Sequence, residues 1–224
     1  MIYRIRPTSV TPPFTGTQLT GPWLDADTAL VHSFRPESSE HRPHTEARLL
    51  YTADALHCLF TVDDRYVVCR HTHFNDMVCN DSCVEIFLQP AGADGYLNFE
   101  CNCGGTLHAS HITDWRRTSG GFAAFRHLSE DEGRTVTIAH TLPAVVDPED
   151  PDAIRWAVQL AIPFALIARV TGTPQDVSGT AWRGNFYKCA DQSSHPHWAS
   201  WSPVDELNFH LPRCFSELHF EEMH

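Results

Sequence analysis

The chain has 224 residues, 42% of them hydrophobic, and a formal net charge of −12 at pH 7. This acidic charge and the scattered Lys and Arg residues exclude a nucleic-acid or anionic-membrane partner, because phosphate binding needs a basic patch. No apolar run is long enough to span a bilayer. The hydrophobic fraction is sufficient for a full core. The lack of a long linker or internal repeat predicts one domain over residues 1–224.

Short segments of alternating polarity recur along the chain and predict β-strands, with turn residues between many of them. In chain order the predicted strands are 2–6, 48–51, 56–62, 83–88, 96–102, 106–110, 122–127, 135–140, 155–162, 182–189 and 216–220. One short helix is predicted at residues 164–169 and a surface loop at residues 148–152. This pattern is typical of an all-β fold, a two-sheet antiparallel β-sandwich with few short helices.

The fourth and fifth predicted strands have acids and amides on one face. Glu85 lies between Val84 and Ile86, which must face the core, and Asn98, Glu100 and Asn102 share one face of the next strand. We expect Glu85 to point into a polar pocket shared with Asn98 or Asn102, and to need a donor such as Arg183, Arg155 or an amide. Acceptors and donors of this kind beside aromatic residues suit sugar hydroxyls, although a solvated strand face would show the same pattern.

Further candidates lie later in the chain. Gln159 would join the polar surface around Glu85 if its strand lies in the same sheet. Trp198 and Trp201 lie in a Pro- and His-rich segment that predicts a loop, where a ring is free to stack on a sugar. The predicted ligand-binding set is therefore Glu85, Asn98, Glu100, Asn102, Gln159, Arg183, Asn185, Trp198 and Trp201.

Four motifs in this order resemble the carbohydrate-binding module family 9-like domains, which are related to DOMON domains. They are NDSCVEIF at 80–87, YLNFECN at 96–102, AIPF at 161–164 and NFYKC at 185–189, and the resemblance covers roughly residues 20–220. It implies a β-sandwich of jelly-roll character and a non-catalytic, carbohydrate-binding role in glycan or polysaccharide metabolism. A saccharide is the implied ligand, and a glycoside-processing enzyme is an implied partner.

The resemblance also bears on the details of the site. Related sugar-binding domains have an aromatic residue six positions before the glutamate that Glu85 matches, whereas this chain has Cys79. We therefore expect one aromatic wall of the family's site to be missing. No cofactor is implied. Structural calcium is present in related domains, although the chain has no EF-hand-like loop.

Two alternatives remain open. Glu85 and Glu100 would suit a glycoside hydrolase if their carboxyl groups lie at the ~5–5.5 Å spacing of a retaining enzyme or at the wider inverting spacing. A structural or metal-binding sandwich without a sugar ligand would instead use thiols as zinc ligands. The candidate thiols are Cys79, Cys83, Cys101 and Cys103.

The N-terminal residues lack the apolar core of a signal peptide. This predicts a cytoplasmic location, or secretion if a signal was removed. In a reducing compartment the 8 cysteines are expected to be free thiols, several of them at core-facing strand positions.

Overall fold

The computed structural model describes residues 1–223, which form mainly β-strands. The strands are β1 (Ile2–Pro7), β2 (Ala29–Leu30), β3 (Ser33–Phe34), β4 (His44–Tyr51), β5 (Ala55–Asp64), β6 (Val67–Cys69), β7 (Cys83–Gln89), β8 (Tyr96–Asn102), β9 (Leu107–Thr118), β10 (Gly121–His127), β11 (Thr137–His140), β12 (Val146–Asp150), β13 (Ile154–Pro163), β14 (Ala181–Cys189), β15 (Trp198–Ser200) and β16 (Ser216–Phe220). The helices are α1 (Glu130–Gly133) and α2 (Phe164–Thr171), with short 3-10 turns at Gly21–Leu24, Val78–Asn80 and Pro212–Cys214.

Two sheets pack face to face. The first, called the site sheet, has the order β10-β9-β8-β7-β14-β16, and the second, called the opposite sheet, has the order β4-β5-β13-β11. Strand β1 joins the two, because its first part pairs with β16 and its last two residues pair with β4. The predicted β-sandwich is confirmed. Both pairings of β1 are parallel, which departs from the purely antiparallel arrangement predicted.

The space between the sheets is filled by the apolar faces of the strands. Val84 and Ile86 of β7, Phe99 of β8 and Trp156 of β13 are each 0% exposed and lie in one continuous core. Burial of each such side chain stabilises the fold by about 1.5–3 kcal/mol. The alternation of residues in β7 therefore forces Glu85 to the outer face of the site sheet, as predicted.

Strand register determines which outer-face residues meet. Glu85 of β7 lies opposite Glu100 of β8 on one side and opposite Tyr187 of β14 on the other. A slip of one residue would move every core side chain of β7 to the outer face, so the buried apolar face holds this register. The two acids are thereby placed side by side.

Helix α2 confirms the predicted helix at residues 164–169 and extends to Thr171. It ends at Gly172, whose φ of 75° is the left-handed conformation that favours glycine at a helix end. At eight residues α2 is the longest described helix, and none of the described helices is long and apolar enough to cross a membrane.

Two segments predicted as loops are strands. The predicted loop 148–152 overlaps β12 (Val146–Asp150), which pairs with β6, and the segment around Trp198 forms β15, which pairs with β14 and β3. β12 pairs with the distant β6, and β15 pairs with the distant β3 as well as with the nearby β14. Because the tertiary structure brings their partner strands together, the sequence of these segments does not show the alternating polarity that predicts a strand.

Candidate functional site

A cavity of about 540 Å³ lies on the outer face of the site sheet. This volume is within the range of small-molecule binding sites. Its floor includes Glu85 from β7, Asn98 and Glu100 from β8, and Cys189 from β14. The three central strands of the sheet thus supply a rigid, polar floor.

One hydrogen-bond acceptor of the floor has no partner within the protein. Asn98 Nδ2 donates to Glu100 Oε1 at 2.6 Å, and Cys189 Sγ donates to Glu85 Oε1 at 3.2 Å. Asn98 is 1% exposed, and its Oδ1 has no hydrogen-bond partner within the protein. A buried acceptor without a partner costs about 1–3 kcal/mol, so Asn98 Oδ1 is poised to accept from a ligand.

The two carboxyl groups are held away from water. Burial raises the pKa of Glu85 well above its usual value, and the neighbouring Glu100 raises it further. Burial also raises the pKa of Glu100, although the nearby His108 opposes the shift. Adjacent buried acids of this kind share protons, because two like charges in a poorly solvated site repel each other. A protonated carboxyl group donates as well as accepts, which matches the behaviour of a hydroxyl group.

Aromatic side chains line the walls of the cavity. Trp198 of β15 is oriented by a hydrogen bond from its indole Nε1 to Asp191 Oδ1 at 2.7 Å. Phe122 of β10 also lines the cavity, and the Arg117 guanidinium carbon lies 4.0 Å from the centre of its ring. Cys79 lines the cavity too, so the position at which the sequence resemblance implies a missing aromatic wall carries a small thiol.

The structure brings four of the predicted residues to the cavity: Glu85, Asn98, Glu100 and Trp198. The expected donor to Glu85 is wrong. Arg183 donates to the Phe215 carbonyl, and Arg155 lies 3.5 Å from an Asp63 carboxylate oxygen. A thiol contacts Glu85 instead.

Asn102 and Gln159 do not reach the cavity. Asn102 donates to Asp81 Oδ2 at 2.9 Å and accepts from the Thr106 amide at 2.8 Å, which fixes the end of β8. Gln159 lies in β13 of the opposite sheet, where its Nε2 donates to the Pro12 carbonyl. The assumption that its strand neighbours β7 and β8 is wrong.

The remaining predicted residues have structural contacts. Arg183 is held by Phe215, as described above. Asn185 accepts from the Ser202 amide at 2.9 Å and donates to the Ser202 carbonyl at 2.8 Å. Trp201 is 4% exposed and packs within the core against Phe186. Its position after β15 turns it inward, whereas Trp198 faces the cavity.

Several cavity residues were not among the sequence predictions. His108 and Ser110 of β9 line the floor because they lie opposite Glu100 and Asn98 in the β8–β9 register. Their alternation with Leu107 and Ala109 in the sequence indicates another strand with one polar face. Only the pairing of β9 with β8 shows that this face lies beside Asn98 and Glu100. The other cavity residues outside the predicted ligand-binding set are Met77, Cys79, Arg117, Gly121, Phe122, Phe125, His127, Cys189, Asp191, Leu207, Asn208, Phe209 and His210.

The predicted zinc ligands are not together. Cys101 and Cys103 pack in the core between the sheets, whereas Cys83 packs on the other side of the site sheet. Within residues 1–223, one group of three potential ligands lies within 4.8 Å, namely Cys83, Glu85 and Cys189. Two thiols do not fit calcium, which prefers oxygen ligands, so this group does not support structural calcium.

One family model matches most of the chain, and several solved structures share its fold. The model of carbohydrate-binding family 9 matches residues 25–220. A Bacteroides uniformis protein, provisionally described as carbohydrate-binding, has a structure that is 24% identical with a TM-score of 0.81, and the match covers 98% of this chain and 99% of that chain. No curated protein sequence matches the chain.

Two structures of a family 9 module from Caldicellulosiruptor kristjanssonii share the fold. The complex with glucose is 13% identical with a TM-score of 0.61, covering 99% of this chain and 97% of that chain. The complex with cellotriose is 14% identical with a TM-score of 0.63, covering 100% and 95%. Because the family model spans most of the sequence, the chain belongs to carbohydrate-binding family 9, which confirms the predicted class of a non-catalytic carbohydrate-binding domain.

Proposed function

We propose that the cavity binds a neutral saccharide through one glucose-type pyranose ring. The ring lies over the floor of Glu85, Asn98 and Glu100, with Trp198 and Phe122 at the walls. The observation that supports this most directly is the buried Asn98 Oδ1, which has no partner in the protein and lines the cavity.

The chemistry of the floor suits vicinal hydroxyl groups. Each sugar hydroxyl donates one hydrogen bond and accepts others, and the floor offers both functions. Asn98 Oδ1 accepts, while a protonated carboxyl group of the Glu85–Glu100 pair donates. The apolar face of the ring is then covered by aromatic side chains, since burial of apolar surface is favourable.

Related structures guide the choice of ligand. The Caldicellulosiruptor kristjanssonii modules are in complex with glucose and cellotriose. These two sugars are therefore the first probes. Cys79 and Phe122 line the walls of this cavity and also contribute to its choice of ligand.

Isothermal titration calorimetry with glucose and cellotriose tests the proposal. We expect binding at millimolar affinity or better, and a Kd of 1 mM corresponds to about −4.1 kcal/mol. Trp198→Ala and Asn98→Ala should each weaken binding at least tenfold. Trp115→Ala is the matched control, because Trp115 is a half-buried tryptophan of β9 outside the cavity lining. No heat with either sugar, or equal losses in Trp115→Ala and Trp198→Ala, would refute the proposal.

The glycosidase alternative has one structural observation in its favour. Glu85 and Glu100 lie directly opposite each other on adjacent strands, and such pairs have Cβ atoms about 4.5–5.5 Å apart. Family membership favours binding without catalysis. We therefore expect no turnover of chromogenic glycosides, and turnover that disappears in Glu85→Gln would establish the alternative instead.

A glycoside-processing enzyme remains our proposal for the macromolecular partner. It is motivated by the family resemblance of the sequence. Co-purification with such an enzyme from the native cells would support it. The proposed cytoplasmic location is tested by fractionating the same cells.

A further inference from the structure

Two thiols and a carboxyl group converge at one edge of the cavity floor. Cys83 of β7 and Cys189 of β14 are directly opposite partners in the strand pairing, and Glu85 lies two residues after Cys83 on the same face. Their ligand atoms lie within 4.8 Å of one another, and Cys189 Sγ is 3.2 Å from Glu85 Oε1. All three residues are buried, at 3% exposure or less.

The spacing is close to that of a tetrahedral zinc site. With Zn–S bonds near 2.3 Å and Zn–O bonds near 2.1 Å, neighbouring ligand atoms of a tetrahedral site lie about 3.6–3.8 Å apart. Cys189 Sγ and Glu85 Oε1, which are 3.2 Å apart, lie within about 0.4 Å of this separation, and the three ligand atoms, all within 4.8 Å of one another, reach it through side-chain movements of about 1 Å. The three side chains project from paired central strands, so they lose little conformational entropy when they bind an ion.

The charges around the cluster also favour a cation. Within the described residues, the hydrogen bond that Glu85 receives comes from a thiol, and no Lys or Arg pairs with it. The acidic side chains of Glu100 and Asp191 also lie nearby. A divalent ion would compensate this buried acidity, and two thiolates select zinc over calcium or magnesium.

We propose that Cys83, Cys189 and Glu85 bind one zinc-type ion, with its fourth coordination position open to the cavity. Three protein ligands and one open position are the usual arrangement of a zinc site that also contacts a ligand. Glu85 and Cys189 line the cavity, so the open position faces the space assigned to the sugar. The proposal does not rest on the sugar-binding function, because metal binding is measured without sugar.

The chain contains a matched control for the thiol pair. Cys69 and Cys103 form a second pair of neighbouring buried thiols, and Cys69 Sγ donates to the Ala144 carbonyl oxygen at 3.2 Å. No carboxylate or imidazole joins them in a three-ligand group among the residues described. Serine at position 69 keeps a hydroxyl donor there, so Cys69→Ser removes a buried thiol without touching the proposed site.

Metal titration of the reduced, metal-free chain tests the proposal. Cd²⁺ is added while the ultraviolet thiolate-to-metal charge-transfer band is recorded, and Zn²⁺ affinity is measured by competition with a chromophoric chelator. We expect one ion per chain and a saturating charge-transfer band. Cys189→Ser should halve the band and weaken Zn²⁺ binding at least tenfold, whereas Cys69→Ser should match the wild type.

Glu85→Gln provides a second variant of nearly unchanged shape. It should keep the Cd²⁺ band, because both thiols remain, but weaken Zn²⁺ binding at least tenfold. Circular dichroism verifies that each variant is folded, and if Cys189→Ser does not fold, Glu85→Gln decides. The proposal is overturned if the wild type shows no band, if Cys69→Ser loses it as Cys189→Ser does, or if Glu85→Gln binds Zn²⁺ like the wild type.

Discussion

Acidic pH is expected to destabilise the fold through the buried imidazole of His197. This side chain is 1% exposed, with Nε2 lying 2.8 Å from Lys188 Nζ and Nδ1 lying 2.9 Å from the His195 carbonyl oxygen. An ammonium group only donates, so Nε2 must accept and Nδ1 must hold the proton. The geometry therefore requires a neutral ring.

The surroundings of His197 oppose its protonation. Burial and the Lys188 charge lower the pKa of His197 to about 3, although Asp64 acts in the opposite direction. Asp64 is already engaged, because its carboxylate lies 3.4 Å from Lys188 Nζ and 2.7 Å from His41 Nε2. Little of its charge is left to support a histidine cation.

The magnitude follows from linkage. The pKa of this histidine is about 6.5 in the unfolded chain and about 3 in the folded chain. A group whose folded pKa is depressed contributes its full stability above the unfolded value and loses it as pH falls towards the folded value. Because pH 5 lies about 1.5 pH units below the unfolded pKa and each pH unit corresponds to about 1.36 kcal/mol, the free energy of unfolding falls by about 2 kcal/mol at pH 5.

Urea unfolding of the wild type and His197→Gln at pH 7.5 and pH 5.0 measures this effect. We expect the wild type to lose about 2 kcal/mol more than the variant over this interval. The wild type must be compared with the variant, because the raised pKa values of Glu85 and Glu100 stabilise the fold as pH falls and so oppose the effect of His197 in both proteins. His32→Gln, at an exposed histidine, is the control. Equal losses in the wild type and His197→Gln would refute the reasoning.

Three further predictions concern stability and the limits of the site. Lys188→Met should cost about 3–5 kcal/mol in urea unfolding, because it leaves a buried carboxylate without its counter-charge; a neutral result would show that this carboxylate protonates freely. Gly95→Ala should lower the melting temperature, since φ is 78° and a Cβ would clash with the Ile112 carbonyl oxygen; an unchanged melting temperature would contradict this clash. Asn185→Ala should cost about 1–3 kcal/mol through its lost bonds to Ser202 yet leave the affinity for sugar unchanged by calorimetry; a selective loss of affinity would return this residue to the binding site.

The alternation of apolar and polar residues was enough to predict the fold class and the face on which the site lies. Val84 and Ile86 alternate with Glu85, and burial of apolar side chains leaves the glutamate no direction except outward. The same local rule placed Asn98 and Glu100 on the outer face of β8. The motifs around these residues also indicated the family, because they preserve the local pattern of the central strands.

Which strands are neighbours could not be predicted from this alternation and depends on the packing of the whole chain. Gln159 has the right alternation for a floor residue, but β13 lies in the opposite sheet, whereas the overlooked His108 meets Glu100 through the β8–β9 pairing. The meeting of Cys83 and Cys189 likewise depends on pairing between strands far apart in sequence. Alternation is a local property that assigns a side chain to a face, while strand order and register depend on long-range packing, and these determine which side chains share a cavity.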